Sequence, residues 1–126
     1  MERSPTLIAV VDDEDSVRRA LWRLFTASGM DCATYASGRE FLDSLRHNAP
    51  TCVVLDLHMP GLTGLDVTRE LQGAKIKVPA IIITAHDEAG TRAKCLSAGA
   101  SAYLRKPFDD KLLLDAVREL SGAAAC

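Results

Sequence analysis

Two stretches decide the fold: Leu7-Ile8-Ala9-Val10-Val11-Asp12-Asp13-Glu14 and Cys52-Val53-Val54-Leu55-Asp56-Leu57-His58. Each is a short apolar run that stops abruptly at carboxylates. A strand that is apolar at nearly every position is covered on both faces, as in a parallel sheet. Ala80-Ile81-Ile82-Ile83, ending at Thr84, has the same character. Ala102-Tyr103-Leu104 is a fifth run, followed by Lys106-Pro107. Cys32-Ala33-Thr34-Tyr35 is more mixed, as suits an edge strand.

Helix signals lie between these runs. Ser16 to Ser28 carries Val17, Leu21, Leu24 and Phe25 at helical spacing and stops at Gly29, a good C-terminal cap. Ser37-Gly38-Arg39-Glu40 has the form of a capping box ahead of Phe41, Leu42 and Leu45. Leu65 to Gln72 reads as a short helix ending at Gly73. Asp87 to Ala98 reads as another, interrupted by Gly90 and ending at Gly99. A glycine inside a helix costs about 1 kcal/mol relative to alanine, so this helix is expected to be the least stable and the easiest to shift. Asp109 is placed as N-cap of the last helix, with Leu112, Leu113, Ala116, Val117 and Leu120 as its buried stripe.

Strands alternating with helices imply right-handed crossovers onto one parallel sheet with helices on both faces. The expected fold is α/β and doubly wound, a flavodoxin-like five-stranded sheet of order 2-1-3-4-5. A length of 126 residues suits a single domain, read as residues 1–126 with a core of about 5–120. Residues 121–126 are expected to fray.

Composition narrows the function. Lys plus Arg number 15 against 17 Asp plus Glu, a net charge of -2, without the basic excess of a nucleic-acid-binding domain. No apolar run approaches the ~20 residues that span a bilayer. Met1-Glu2-Arg3-Ser4-Pro5 lacks an apolar signal core, so a cytoplasmic protein is expected. Cys32, Cys52, Cys95 and Cys126 form neither a C-x-x-C pair nor a zinc-like cluster. They are expected as reduced thiols, Cys32 and Cys52 as small core residues and Cys126 as exposed.

Ligands of such sheets bind beyond the carboxyl ends of the strands, where the strand order reverses. Here that point falls between the first and third strands, so Asp12, Asp13 and Asp56 converge on one rim. Carboxylates so placed raise one another's pKa unless a cation sits among them. Oxygen ligands favour Mg²⁺, which keeps several waters and takes few protein carboxylates. Thr84 and Lys106 reach the same rim. An aspartate can attack phosphorus to give an acyl phosphate, with Lys106 and a dication to neutralise the phosphoryl oxygens and Thr84 to donate a hydrogen bond.

Asp12-Asp13, Asp56 with Met59-Pro60-Gly61, Thr84-Ala85 and Lys106-Pro107-Phe108 resemble the receiver domain of two-component response regulators, over residues 5–120 and with no departure at the core positions. Asp56-Leu-His-Met-Pro-Gly-Leu-Thr-Gly and Thr84-Ala-His-Asp-Glu resemble the nitrogen-fixation-regulator (FixJ-like) branch, whose members often carry a helix-turn-helix output domain. The resemblance implies that Asp56 is the phosphoacceptor. It implies that Asp13 ligates Mg²⁺ directly, that Asp12 helps indirectly and that the His58 carbonyl is a further ligand. Lys106 would pair with the phosphate, the Lys106-Pro107 bond would be cis, and Thr84 and Tyr103 would form the switch, the ring following the hydroxyl inward. The implied partners are a sensor histidine kinase, a second copy bound through the fourth helix, fifth strand and fifth helix, and an output domain or downstream protein.

Each residue has a plainer reading. Acidic pairs cap helices, lone lysines are solvated and a tyrosine in a strand is core. Only the convergence on one rim outweighs these. His58 and His86 lie on different loops without a third partner and read as bystanders to metal binding, His86 flanking the phosphate entrance. His47 reads as a loop residue and Trp22 as partly exposed. Two rival functions remain. A haloacid-dehalogenase-like phosphohydrolase resembles an Asp-x-Asp pattern, and Asp56-Leu57-His58 lacks the second acid. A flavodoxin-like redox protein needs a phosphate-cradling loop where this chain has Asp13-Glu14-Asp15.

Overall fold

The computed structural model describes residues 6–47 and 49–121. Strands β1 (Leu7–Val11), β2 (Asp31–Tyr35), β3 (Cys52–Asp56), β4 (Ala80–Thr84) and β5 (Ala102–Arg105) alternate with helices α1 (Asp15–Ala27), α2 (Gly38–Ser44), α3 (Gly64–Gly73), α4 (Thr91–Ser97) and α5 (Asp110–Ser121). All pairings are parallel and the order is β2-β1-β3-β4-β5. This is the flavodoxin-like doubly wound sheet expected, with β2 and β5 at its edges.

The central strands are sealed on both faces because successive side chains point to opposite sides. Ala9, Val11, Val53, Leu55 and Ile82 pack under the layer that contains Phe41, Val67, Leu71 and Cys95. Ile8, Val10, Val54, Ile81 and Ile83 pack against Leu21, Phe25, Leu113 and Val117 of α1 and α5. Each fully buried side chain of this kind stabilises the fold by roughly 1.5–3 kcal/mol. That rigid floor fixes the strand ends on which the site stands.

Helix ends follow from local chemistry, and two of them, with one buried position, differ from the sequence reading. Gly29 (φ 86) ends α1 as expected, with Met30 N–H bonded to the Phe25 carbonyl at 3.0 Å. Helix α3 runs through Gly73, and Lys75 takes the left-handed position (φ 58) in its place. The reason is Ile76, whose N–H closes on the Leu71 carbonyl at 2.9 Å and whose side chain packs on the core. Helix α4 begins at Thr91, and Gly90 is its left-handed N-cap (φ 84), not an interior glycine. The interior-glycine penalty therefore does not apply; α4 has seven residues and buries only Cys95. Leu112 is 56% exposed instead of buried, because Leu113 and Val117 already define the inward face of α5.

Other expectations hold in part. Ser37 Oγ accepts from Glu40 N–H at 3.2 Å, while the Glu40 carboxylate meets Ala36 N–H at 3.5 Å, one residue short of a closed box. A full capping box, Thr63 with Asp66, opens α3 instead. Asp109 Oδ1 accepts from Lys111 N–H at 3.0 Å. Cys52 is buried but Cys32 only partly so, because β2 is an edge. Ser121, placed with the frayed end, is the last residue of α5. Met1 to Pro5, Asn48 and residues 122–126 with Cys126 lie outside the described residues.

Candidate functional site

The parallel register carries β1, β3 and β4 to the same rim. Val11 pairs with Leu55, and Asp56 with Ile83, so Asp12 and Asp56 leave neighbouring strands side by side. Ligand oxygens of Asp12, Asp13 and Asp56 all lie within 4.8 Å of one another. Asp12 is fully buried, Asp56 is 5% exposed, and Asp13 is exposed.

Each group is held by its neighbours. Asp12 Oδ1 accepts from Glu14 N–H at 2.9 Å, and Oδ2 accepts from Lys106 Nζ at 3.3 Å. The Asp12 carbonyl accepts from the Arg18 guanidinium at 2.7 Å. Lys106 Nζ stands 3.7 Å from Asp56 Oδ1, so one ammonium serves two buried carboxylates. Lys106 N–H donates to the Thr84 carbonyl at 2.7 Å, and the Lys106-Pro107 bond is cis, as expected. Gly64 permits α3 to start against this site: a Cβ there would lie 2.6 Å from the Asp56 carbonyl oxygen.

Burial pushes the Asp56 carboxyl up to about 6, helped by the nearby charge of Asp12 and, less, of Asp13, and opposed by Lys106 and the His58 backbone amide. One ammonium does not offset three carboxylates; the cluster is short of positive charge. Asp13, Glu14, Asp56, His58, Ala85, His86 and Lys106 line an open cleft of about 210 Å³ above it.

The two switch candidates differ in state. Thr84 is buried, and its hydroxyl closes a tight turn, donating to the His86 carbonyl at 2.9 Å and accepting from His86 N–H at 3.0 Å. Tyr103 is already inward, 7% exposed, with its hydroxyl donating to Asp87 Oδ1 at 2.8 Å. Asp87 also meets the Arg105 guanidinium at 3.5 Å. Asp87, Arg105, Arg18 and Gly64 were not legible as site residues. Only the closeness of Asp87 to Thr84 in the chain hints at its part. Trp22 is 48% exposed on α1, beside Arg19, Arg23 and Thr34 and away from the cleft.

Comparison with known proteins resolves the choice among the three functional readings. The family model for the response regulator receiver domain matches residues 8–118. This chain belongs to that family. The receiver domain is 40% identical over 111 residues to Nodulation protein W of Bradyrhizobium diazoefficiens, covering 88% of this chain and 49% of that protein. A response regulator receiver protein from Burkholderia phymatum is 49% identical, with a TM-score of 0.82 over 94% of this chain and 96% of that one. The structure named FixJ-N is 30% identical, with a TM-score of 0.87 over 95% and 96%. The receiver domain is FixJ-like, as its Asp56 and Thr84 motifs indicated. It belongs to a family of signalling switches rather than of typical enzymes, and it spans about half the length, or less, of the curated relatives it matches. No helix among the described residues is long and apolar enough to cross a membrane.

Proposed function

We propose that this receiver domain is the phosphoacceptor switch of a two-component system, with Asp56 taking a phosphoryl group from a sensor histidine kinase. One observation carries the reading: three carboxylates converge within 4.8 Å at the topological switch point, with Lys106 at 3.3 and 3.7 Å as their ammonium. The donor set is all oxygen and short of positive charge, which fits a hard dication such as Mg²⁺. Asp13, Asp56 and the His58 carbonyl would hold it, with Asp12 acting indirectly. When bound, it supplies positive charge to the Asp56 carboxylate and the phosphoryl oxygens.

An Asp56 carboxylate oxygen attacks phosphorus in line. The bond from phosphorus to the donor imidazole nitrogen breaks, its electron pair stays on that nitrogen, and an acyl phosphate forms on Asp56. Lys106 Nζ, already 3.7 Å from Asp56, neutralises the incoming oxygens. The Thr84 hydroxyl gives up its turn with His86 and donates to a phosphoryl oxygen instead, which frees the loop from Ala85 to Gly90. Water later hydrolyses the acyl phosphate slowly on the same groups.

The loop leads into α4, and Tyr103 on β5 is tied to it through Asp87. Release of Thr84 therefore biases the α4-β5-α5 surface between two arrangements. That surface would bind a second copy, an output domain or a downstream protein. Residues 1–126 act as one domain in this account, cytoplasmic and without nucleic-acid binding of its own. Incubation with acetyl phosphate and Mg²⁺ followed by intact mass measurement tests the reading. The wild type gains one phosphoryl group only with Mg²⁺. An Asp56→Ala protein phosphorylated in equal yield defeats the assignment.

A further inference from the structure

His58 and His86 leave different strands, yet their rings meet edge to face with centroids 5.7 Å apart and an interplanar angle of 75°. Both residues are exposed and both line the cleft. Their loops are held side by side: Leu57 N–H donates to the Ile83 carbonyl at 2.8 Å, and the His86 backbone is fixed by Thr84 Oγ1. The approach of the two rings is thus built on the central strands β3 and β4.

We propose that His58 and His86 form a two-imidazole site for a borderline divalent cation such as Zn²⁺ at the mouth of the cleft, separate from the carboxylate cluster within it. With Zn–N bonds of about 2.0–2.1 Å and near-tetrahedral angles, two ligating rings have centroids about 5 Å apart. The observed 5.7 Å is close to that separation, and the exposed rings turn from their edge-to-face arrangement so that one nitrogen of each meets the ion. The remaining positions take water, and Asp13 stays with Asp12 and Asp56 in the carboxylate cluster. Donor type sorts the ions: imidazole suits Zn²⁺ and Ni²⁺, whereas Mg²⁺ prefers an oxygen set. The site does not depend on phosphorylation of Asp56, so it stands or falls apart from the proposed switch.

Calorimetric titration of the full chain with Zn²⁺ tests this, without a phosphodonor, at saturating Mg²⁺ and after blocking accessible thiols with N-ethylmaleimide. One Zn²⁺ binds per chain. His58→Ala and His86→Ala each weaken it about tenfold or more, and His47→Ala does not. Absence of binding, equal binding in both cleft variants, or loss in only one of them overturns the two-imidazole site. Should a variant fail to fold, NMR of the wild-type imidazoles decides. Zn²⁺ then shifts the His58 and His86 rings together; a shift of neither, or of one alone, overturns the site.

Discussion

Asp56→Asn makes the metal-free protein more stable at neutral and higher pH, although it removes the proposed phosphoacceptor. The Asp56 carboxyl is pushed from 3.8 up to about 6 by burial and by Asp12. Its folded pKa is above its unfolded one, so its negative charge opposes folding once pH exceeds the unfolded value. The full cost applies above about 6, and it vanishes only as pH falls below 3.8, where both states are protonated. A shift of this size corresponds to roughly 3 kcal/mol. Asparagine keeps the shape and drops the charge, leaving Lys106 paired with Asp12 at 3.3 Å. Urea unfolding in EDTA at pH 8 therefore gives the variant an advantage of roughly 3 kcal/mol, about half of that near pH 5 and little near pH 4. Mg²⁺ narrows the gap by stabilising the wild type through binding to the native state; a hundredfold excess over Kd contributes about 2.7 kcal/mol and nearly cancels the advantage. An Asn variant less stable than wild type at pH 8, or an advantage that does not change with pH, refutes the argument from buried like charge.

Asp13→Asn weakens Mg²⁺ binding about tenfold or more by replacing the proposed carboxylate ligand with a neutral amide, read from amide NMR shifts during titration. Gly64→Ala drives a Cβ to 2.6 Å from the Asp56 carbonyl oxygen, and the forced backbone shift costs about 1–3 kcal/mol in urea unfolding. Asp87→Ala lowers the Tyr103 pKa from about 12, where burial and then the Asp87 hydrogen bond hold it. The value stays above that of free tyrosine because the burial persists, as ultraviolet titration of the phenol will show. Comparison of amide exchange with and without beryllofluoride, a stable mimic of the acyl phosphate, gives changes over residues 84–105; changes confined to α1 and α2 count against the proposed signal route.

The sheet order was legible because β1, β3 and β4 are apolar at nearly every position and separated by helical periodicity, which admits few topologies. The rim was legible for the same reason: once strand ends are located, Asp12, Asp13, Asp56, Thr84 and Lys106 must meet. What escaped depends on geometry that periodicity does not encode. Gly73 looked like a helix end because glycine usually takes the left-handed position, but Ile76 had to reach the core and Lys75 accepted the strain. Gly90 reads equally well inside a helix or ahead of one. Leu112 sits in an apolar cluster of three leucines, and only the direction of α5 decides which two face inward. Asp87 and His58 owe their neighbours to the way β3, β4 and β5 sit side by side, so no local spacing reveals the tie to Tyr103 or the meeting with His86.

The most direct test is chemical trapping of the acyl phosphate. After reaction with acetyl phosphate and Mg²⁺, borohydride reduces an aspartyl phosphate to homoserine, and peptide mass spectrometry reads its position. The account predicts homoserine at position 56, lost when Mg²⁺ is withheld and reduced in Lys106→Ala. Homoserine at position 12 or 13, or its absence from a protein whose intact mass shows phosphorylation, would contradict the claim that Asp56 is the phosphoacceptor.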